Sequence, residues 1–207
     1  QMAECRELGI TLCAGYGLTE CANLTSGNCD TDKKPESMGH IYPEQQVKVV
    51  DGELWIKGDN VMKEYYKDPE HTAEVLEDGW FKTGDLVEFD DNDWIYITGR
   101  IKNLIILPNG ENVSPEEIEE LFYKQSLVKD CLVQEMEMNG NTVIGVEIIP
   151  YMPELEGASE EEIQNRLQET VNEVNKELPP FKRVLKLKVR TEDFKRNGAM
   201  KILRNQA

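Results

Sequence analysis

Alternating apolar and polar positions predict two β-hairpins in the first half of the chain. Val47 to Val50 and Glu53 to Lys57 alternate on either side of Asp51-Gly52. Asp-Gly is a strong signal for a two-residue hairpin turn, because glycine accepts the positive φ that such a turn requires. Residues 86–97 repeat this pattern, with four polar residues between two alternating runs. We therefore expect residues 30 to about 98 to form an antiparallel β unit, either a sheet or a small barrel.

The pattern changes after Gly99. A short strand is predicted at 104–107, and Ser114-Pro115 begins a helix with an N-cap serine and a proline at the first helical position. Residues 130–150 read as a hairpin around Asn-Gly, and residues 159–178 as an amphipathic helix. The apolar stripe of this helix consists of Ile163, Leu167, Val171, Val174 and Leu178. The expected fold class is α+β, with an antiparallel β unit at 1–98 followed by a small α+β domain at 99–207.

The charge of the chain is uneven. Forty acidic and 23 basic residues give a net charge of −17, yet residues 181–207 carry a net charge of +7. Apolar and basic residues alternate from Val184 to Arg190, which predicts a half-buried strand instead of a disordered basic arm. A nucleic-acid partner is disfavoured, because phosphate contacts require a basic face and this tail offers only two aromatic residues.

Composition also restricts the type of site and the compartment. The five cysteines form no CxxC pair and have only two histidines to accompany them, a pattern that argues against a zinc site. Scattered thiols fit a reducing compartment, so we expect a cytoplasmic protein. The longest aliphatic runs are a few residues long, far short of the ~20 that a membrane-spanning helix needs.

Five short motifs occur in a distinctive order, although each is weak alone. They are Tyr16-Gly-Leu-Thr-Glu20, Gly52-Glu-Leu-Trp-Ile-Lys-Gly58, Asp78-Gly-Trp-Phe-Lys-Thr-Gly-Asp85, Gly99-Arg100 and Asn109-Gly-Glu-Asn-Val-Ser-Pro-Glu-Glu-Ile-Glu119. In this order and spacing, from about Gly15 to Arg204, the sequence closely resembles the carboxyl-terminal part of the adenylate-forming, AMP-binding superfamily. The last motif looks most like the acyl-CoA synthetase branch.

The resemblance implies a two-step ligase reaction. A carboxylic acid, with a fatty acid favoured, attacks the α-phosphate of MgATP to give an acyl-adenylate, and a thiol, usually CoA, then displaces AMP. Like-charge repulsion in the first step calls for Mg²⁺ and a lysine near the phosphates. The expected cofactors are therefore ATP, Mg²⁺ and CoA, and a carrier protein is an alternative thiol acceptor.

The resemblance also implies roles for single residues of the first domain. Tyr16 stacks on adenine, with Gly15 and Gly17 allowing close backbone approach. Thr19 donates its hydroxyl to the α-phosphate, and Glu20 holds Mg²⁺. The remaining nucleotide contacts implied by the resemblance are with Asp85 at the ribose hydroxyls and Arg100 at the ribose-phosphate side.

In the second domain, Lys201 matches the near-terminal catalytic lysine of the family. Lys102 matches the hinge residue about which the C-terminal lid turns, within a hinge at 100–103, and Gly110 lies on the thiol side. Two positions depart from the family pattern, because Met200 replaces the glycine before the catalytic lysine and Lys195 replaces a proline. A side chain at position 200 disfavours the conformations that glycine permits, which bears on the geometry of Lys201.

The phosphate loop and acyl-binding region that the family carries upstream do not occur in this sequence. We therefore expect a fragment of a longer ligase that is inactive alone. Two alternatives remain open: a stand-alone nucleotide- or carrier-binding lid, and part of an adenylation domain that loads a carrier protein. The reading frame upstream of Gln1 discriminates between the fragment and the stand-alone lid.

Overall fold

The computed structural model describes residues 7–10, 12–29, 34, 36–198 and 200–204. Cys5 lies outside the described residues. The chain divides into two compact units, Gln1–Lys102 and Asn103–Ala207. The architecture is α+β with mostly antiparallel sheets, which confirms the expected fold class.

The first unit consists mainly of short strands joined by tight turns. Its elements are β1 (Ala14–Tyr16), β2 (Ser26–Asn28), β3 (His40–Ile41), β4 (Gln46–Val50), β5 (Glu53–Lys57), α1 (Pro69–Val75), β6 (Leu76–Glu77), β7 (Trp80–Phe89) and β8 (Ile95–Arg100). One sheet has the order β1-β2-β3, and the other has the order β4-β5-β7-β6, with β8 also paired to β7. Within the described residues of this unit, neighbouring strands pair antiparallel.

Both predicted hairpins of the first unit are confirmed. Asp51 and Gly52 take φ values of 50° and 84°, so both central residues of the turn between β4 and β5 are left-handed, as a type I′ turn requires. At the turn between β7 and β8, Asp90 Oδ1 accepts hydrogen bonds from the amides of Asn92 (2.9 Å) and Trp94 (3.2 Å). The buried core of this unit consists of Tyr16, Cys21, Leu54, Ile56, Phe81, Val87 and Ile95.

The second unit contains a three-stranded sheet, a two-stranded ladder and two helices. Its elements are β9 (Ile105–Ile106), β10 (Asn112–Val113), α2 (Pro115–Tyr123), β11 (Val128–Met138), β12 (Asn141–Pro150), α3 (Glu160–Glu177) and β13 (Lys186–Val189). The β11–β12 hairpin turns at Asn139 and Gly140, as predicted. β13 pairs in parallel with β12, because α3 carries the chain back along the sheet between them. The alternating apolar and basic residues of the tail thus form a strand, as predicted.

Both predicted helices of the second unit form, with different caps. Ser159 Oγ accepts from the Glu162 amide (3.3 Å), and Glu162 Oε2 accepts from the Ser159 amide (2.8 Å), which completes a capping box. Ser114 stands at the N-cap of α2, but its hydroxyl donates to Glu116 Oε2 (3.1 Å) and makes no cap hydrogen bond. The predicted stripe of α3 packs on the core of this unit together with Val133, Val146 and Ile148 of the sheet. In the part of the chain that the structure describes, no helix is long and apolar enough to span a bilayer.

Candidate functional site

Three of the predicted nucleotide-binding residues form one hydrogen-bonded cluster in the first unit. The Tyr16 hydroxyl donates to Asp85 Oδ2 at 2.7 Å, and Arg100 Nε lies 2.7 Å from Asp85 Oδ1. Asp85 is 1% exposed, whereas about a third of the Arg100 side chain (35%) reaches the surface. We call Tyr16, Asp85 and Arg100 the aspartate cluster. Arg100 supplies the positive charge that a buried carboxylate requires.

Irregular pairing around β7 places Asp85 in this cluster. Glu53 of β5 pairs with Leu86, but Trp55 pairs with Lys82, so β7 contains extra residues opposite one step of β5. Gly84 lies within this bulge, with a φ of +69°, and its amide donates to Glu53 Oε1 at 2.8 Å. Bulges redirect side chains relative to the regular pleat. Gly84 therefore permits the backbone conformation that directs the Asp85 carboxylate toward Tyr16 and Arg100.

The electrostatics of the cluster keep Tyr16 as a hydrogen-bond donor. Burial, and then the negative charge of Asp85, raise the pKa of Tyr16 well above its usual range. The protonated phenol donates to one oxygen of Asp85, and Arg100 lies against the other oxygen of the same carboxylate. The cluster is therefore preorganised without any ligand.

Gly15 and Gly17 are constrained by their own surroundings. A Cβ on Gly17 would lie 1.3 Å from the carbonyl oxygen of Asn23, and one on Gly15 would lie 3.1 Å from the carbonyl oxygen of Ser26. The fold itself thus requires glycine at position 17. The presence of this glycine is consequently no separate sign of a ligand.

Thr19 and Glu20 lie in the 3-10 turn Thr19–Cys21 that follows β1. Thr19 is exposed, and Glu20 is half-buried with its Oε1 accepting from the Tyr65 hydroxyl at 2.9 Å. Burial and then this hydrogen bond raise the pKa of Tyr65 to about 12, so the phenol remains a donor to Glu20 at neutral pH. The Glu20 carbonyl also accepts from the Met62 amide at 2.7 Å, which fixes the turn.

The surroundings of Glu20 fit a magnesium ion that is held together with a nucleotide. Tyr65 orients one carboxylate oxygen, and the other accepts no hydrogen bond from the described residues. Among these residues no group of three or more acidic, histidine or cysteine side chains converges to form a metal site. Mg²⁺ commonly binds to one or two carboxylates and completes its shell with water and phosphate oxygens. A single oriented carboxylate is sufficient for that mode.

Lys201 lies in a short hairpin near the C-terminus of the second unit. Arg196 forms a bridge with Ile202, and we call residues 196–198 and 200–202 the lysine hairpin. The Asn197 side chain accepts from the Lys201 amide at 3.0 Å, and the Asn197 amide donates to the Lys201 carbonyl at 2.9 Å. The Lys201 side chain is exposed and forms no ion pair within the described part of the unit. Asn197 therefore fixes the backbone of Lys201, while the ammonium is accessible to a ligand.

Met200 adopts the conformation that glycine would take at this position. Its φ is 61°, in the left-handed region that residues with a Cβ rarely occupy. Arg196 Nη1 donates to the Met200 carbonyl at 2.6 Å, and the Met200 amide donates to the Asn197 carbonyl at 2.9 Å. These contacts hold the strained residue in place. The departure from the family pattern is therefore accommodated by the backbone.

Two arginine–carboxylate pairs fix the lysine hairpin to the rest of the second unit. Arg196 pairs with Asp130, whose other oxygen accepts from the Tyr123 hydroxyl at 2.8 Å. Arg204 donates to Glu119 Oε2 at 2.7 Å and to the Val133 carbonyl at 3.0 Å. The partners lie 66 and 85 residues apart in the chain. Glu119 ends one of the sequence motifs, but no local signal indicated that it pairs with Arg204 or that Arg196 pairs with Asp130.

The two remaining predicted residues lie in turns. Lys102 is exposed in the 3-10 turn Ile101–Asn103 and is the last residue of the first unit. Gly110 has a φ of +84° and its amide donates to the Leu107 carbonyl at 2.8 Å, in the loop between β9 and β10. Left-handed φ explains why glycine occupies this position. Tyr65 and Glu53, which support the site through side-chain contacts, were not predicted as site residues.

Family models match both parts of the chain. The model described as AMP-binding enzyme matches residues 1–66, and the model described as AMP-binding enzyme C-terminal domain matches residues 102–207.

Relatives of known function include several ligases. The chain is 40% identical over 134 residues to a long-chain-fatty-acid–CoA ligase of Haemophilus influenzae, a match that covers 57% of this chain and 24% of the relative. It is 33% identical over 210 residues to 4-coumarate–CoA ligase-like 4 of Oryza sativa subsp. japonica, a match that covers 94% of this chain and 36% of the relative. A luciferin 4-monooxygenase of Photuris pensylvanica is 39% identical over 130 residues, a match that covers 56% of this chain and 24% of the relative. The chain thus spans about a quarter to a third of these relatives.

Solved structures share the fold over nearly the whole chain. The o-succinylbenzoate CoA synthetase of Bacillus subtilis, in complex with its acyl-adenylate intermediate, superposes with a TM-score of 0.81 at 28% identity and covers 99% of this chain and 42% of its own. The structure of the same enzyme with ATP and a magnesium ion superposes with a TM-score of 0.80. This match covers 99% of the present chain and 43% of the enzyme. An anthranilate CoA ligase at 21% identity shares the fold with a TM-score of 0.82. This match covers 98% of the present chain and 40% of the ligase.

Proposed function

Because the chain belongs to the AMP-binding enzyme family, we propose that it is the C-terminal part of an ATP-dependent ligase that joins a carboxylic acid to CoA. The observation that carries this proposal is the aspartate cluster, in which Tyr16, 69 positions from Asp85 in the chain, and Arg100 converge on one buried carboxylate. The first domain of the proposal covers residues 1–98, and the lid covers 99–207. The alternative of a stand-alone lid is tested by the same experiment.

In the proposed site, Asp85 binds the ribose of ATP. A carboxylate offers about four lone-pair positions, so Asp85 accepts from ribose hydroxyls while Tyr16 and Arg100 keep their bonds to it. The ring of Tyr16 then lies against the base, and Arg100, through its exposed part, faces the ribose-phosphate side. The hydrogen bonds within the cluster reduce the freedom that these side chains lose on binding.

The phosphate side of the proposed site is formed by Thr19 and Glu20. The exposed hydroxyl of Thr19 donates to the α-phosphate, and the oriented carboxylate of Glu20 holds Mg²⁺ through its free oxygen. When bound, Mg²⁺ withdraws charge from the phosphates and lowers the repulsion of the incoming carboxylate. Tyr65, by donating to the other oxygen, keeps Glu20 turned toward that position.

Lys201 supplies the second positive charge in this proposal. Its ammonium, which forms no ion pair with the described residues, is suited to a charge that develops on the α-phosphate during adenylation. Lys102, at the end of the first unit, acts as the hinge that carries the lid between the two half-reactions, and Gly110 lies on the side of the thiol. If Lys201 formed a permanent ion pair, that pair would have to break before the ammonium could approach the phosphate.

The acid remains the least defined part of the proposal. The relatives named for long-chain fatty acids support a fatty acid, and those named for aryl acids support an aromatic one. We favour a fatty acid with CoA as the acceptor, and a carrier protein as the alternative acceptor. The chain alone is expected to be inactive, and a cytoplasmic location stays a prediction.

The test is ATP–pyrophosphate exchange by the product of the complete reading frame across fatty, aryl and dicarboxylic acids. We expect exchange with one class of acid and its loss in Asp85→Asn. Asp91→Asn is the matched control, because Asp91 is exposed in the turn after β7. Absence of exchange with every acid, or equal activity of the two variants, would refute the ligase. An open reading frame that starts within this sequence would favour the stand-alone lid instead.

A further inference from the structure

Cys13 and Cys29 meet at the open end of the β1–β2 ladder. The outermost pair of this antiparallel ladder joins Ala14 to Asn28, so the next residues outward on the two strands are the two cysteines. Both thiols are free and exposed. Their side chains are close enough for Cys29 to raise the pKa of the Cys13 thiol. The two sulfur atoms are thus neighbours on an accessible edge of the first unit.

The register places the two cysteines one step beyond the last pair of the ladder, opposite one another when the pairing is continued outward. Residues directly opposite in an antiparallel pair have Cα atoms about 4.5 to 5.5 Å apart. Disulfides form across Cα separations of about 4.4 to 6.8 Å. A disulfide between Cys13 and Cys29 would therefore continue the existing register of the ladder by one step.

We propose that Cys13 and Cys29 are a reversible redox pair, which a low-molecular-weight disulfide such as glutathione disulfide converts into an intramolecular cross-link. One thiolate attacks the small disulfide, forms a mixed disulfide and releases one glutathione thiol. The second cysteine attacks the protein sulfur of that mixed disulfide and releases the other glutathione. Two protein thiols are oxidised, one glutathione disulfide is reduced to two thiols, and a reducing thiol pool reverses the reaction.

The other described cysteines are poor competitors for this reaction. Cys21 and Cys131 are both buried. Burial, and then the charge of Glu20, raise the pKa of Cys21 to about 11, which keeps it protonated and unreactive at neutral pH. The neighbouring Cys29 side chain also raises the pKa of the Cys13 thiol. Oxidation of the pair is therefore expected to accelerate as the pH rises above neutrality.

The cross-link would close the ladder just before the strand that carries Tyr16. β1 is only three residues long, and its pairing to β2 ends at the cysteines. A covalent bond there restrains the fraying of the last ladder pair, as cross-links do for chain ends. This effect concerns the backbone of residues 14–28 and does not depend on the proposed ligase activity.

The experiment treats the 207-residue chain with glutathione disulfide and follows intact mass and iodoacetamide labelling under denaturing conditions. We expect the loss of two hydrogens without a glutathione adduct, and a fall in labelled cysteines from five to three. Peptide mapping should join Cys13 to Cys29. Hydrogen exchange across 14–28 should slow in the oxidised chain and recover after dithiothreitol.

Matched variants identify the pair. Cys13→Ser should replace the internal bond with a glutathione adduct on Cys29, and Cys29→Ser should do the converse. Cys5→Ser should leave the cross-link unchanged. A cross-link that survives Cys13→Ser, one that maps to Cys5, or adducts alone in the native chain would each overturn the proposal.

Discussion

The aspartate cluster and the lysine hairpin hold their functional side chains in opposite ways. In the cluster, the hydrogen bonds are made by the functional groups themselves, and Asp85 is 1% exposed. In the hairpin, the hydrogen bonds are made by the backbone of Lys201 and by its neighbours, while the ammonium is exposed and unpaired among the described residues. The first arrangement fixes a binding surface before the ligand arrives. The second presents a charge that can approach a ligand and leave it.

The anchors of the hairpin make this contrast sharper. Arg196 and Arg204 flank Lys201 and carry similar charges, yet both are committed to carboxylates on β11 and α2. Burial raises the pKa of Glu119 while the guanidinium of Arg204 opposes the shift. Of three basic groups within nine residues, the structure uses two to hold the segment. The third is the one whose position matches the catalytic lysine of the family.

Lys201→Ala is expected to have the largest effect. In the complete ligase it should slow acyl-adenylate formation by roughly 10² to 10³, the scale for removing one charge-stabilising donor from a site without water. Pyrophosphate exchange measures this step. Thioester formation from added acyl-adenylate should change much less, because the proposed lid has by then turned Lys201 away from the phosphate.

Lys195→Ala is the control for this prediction, since Lys195 is an exposed lysine of the same segment. It should leave both half-reactions within about twofold, as surface substitutions usually do. Equal damage to both steps by Lys201→Ala would remove the catalytic role and leave a structural one.

Lys102→Pro should show the opposite pattern. Proline fixes φ near −65°, and at a hinge this would prevent the rotation on which the second half-reaction depends. We expect thioester formation to fall by roughly tenfold or more while adenylation stays within a few-fold. Lys102→Ala, which keeps the backbone free, should leave both steps near normal. A loss of both steps in Lys102→Ala would assign Lys102 to chemistry instead.

The two regions should also differ in stability. Asp85→Ala removes a buried carboxylate and leaves the Tyr16 hydroxyl and the Arg100 guanidinium without their partner, which should lower the free energy of unfolding by about 2 to 3 kcal/mol. Lys201→Ala should change it by less than about 0.5 kcal/mol. Urea unfolding reports the first unit through tryptophan fluorescence, because all three tryptophans lie within residues 55–94. Similar losses in both variants would show that the cluster and the hairpin do not differ in their contribution to stability.

Acidification should weaken the two units over different pH ranges. In the first unit, hydrogen bonding to Lys34 lowers the pKa of Asp90 from 3.8 to about 2, so its contribution is present above pH 3.8 and is lost as the pH falls toward 2. In the second unit, burial acts to raise the pKa of Glu147, but hydrogen bonds from Lys188 and Arg190 outweigh it and lower the pKa below 4.5. The contribution of Glu147 therefore begins to fall below pH 4.5.

Urea unfolding between pH 6 and pH 2 tests this difference, with fluorescence for the first unit and circular dichroism for the whole chain. Asp90→Asn should flatten the acid side of the fluorescence curve, and Glu147→Gln should flatten only the circular dichroism curve. Asp91→Asn is the control for the first unit. An unchanged pH dependence in both variants would show that other carboxyls dominate acid unfolding.

Sequence patterns predicted the elements whose signals are local. Asp51-Gly52 and Asn139-Gly140 identified two hairpins, and Ser159 with its apolar stripe identified α3. β1 and β2 were missed because three-residue strands rich in glycine and small polar residues show no alternation. Their pairing depends on contacts between segments, which no local period encodes.

The candidate site divides in the same way. Motif order supplied Tyr16, Asp85 and Arg100, but nothing in the sequence indicated that the three side chains bond to one another. The Arg204–Glu119 pair depends on the register of β11 and on the path of the C-terminal segment, over a separation of 85 residues. Such pairs follow from the folded topology, and a single sequence does not display them.

Met200→Gly should have the smallest effect and bears most directly on how the lysine hairpin works. A left-handed residue with a Cβ is strained by about 1 to 2 kcal/mol, but glycine also gains freedom in the unfolded chain, which offsets about 0.4 to 1 kcal/mol of that strain. We expect Met200→Gly to stabilise the chain by about 0.5 kcal/mol and to leave adenylation by the complete ligase within about threefold.

Met200→Val is the matched comparison, because a β-branched side chain is least compatible with a φ of 61°. It should destabilise the hairpin and slow adenylation more than it slows the thioester step, since the displaced residue is next to Lys201. If both variants behaved like the native chain in unfolding and in adenylation, the turn would not control the position of Lys201. The two arginine anchors alone would then account for the geometry of the hairpin.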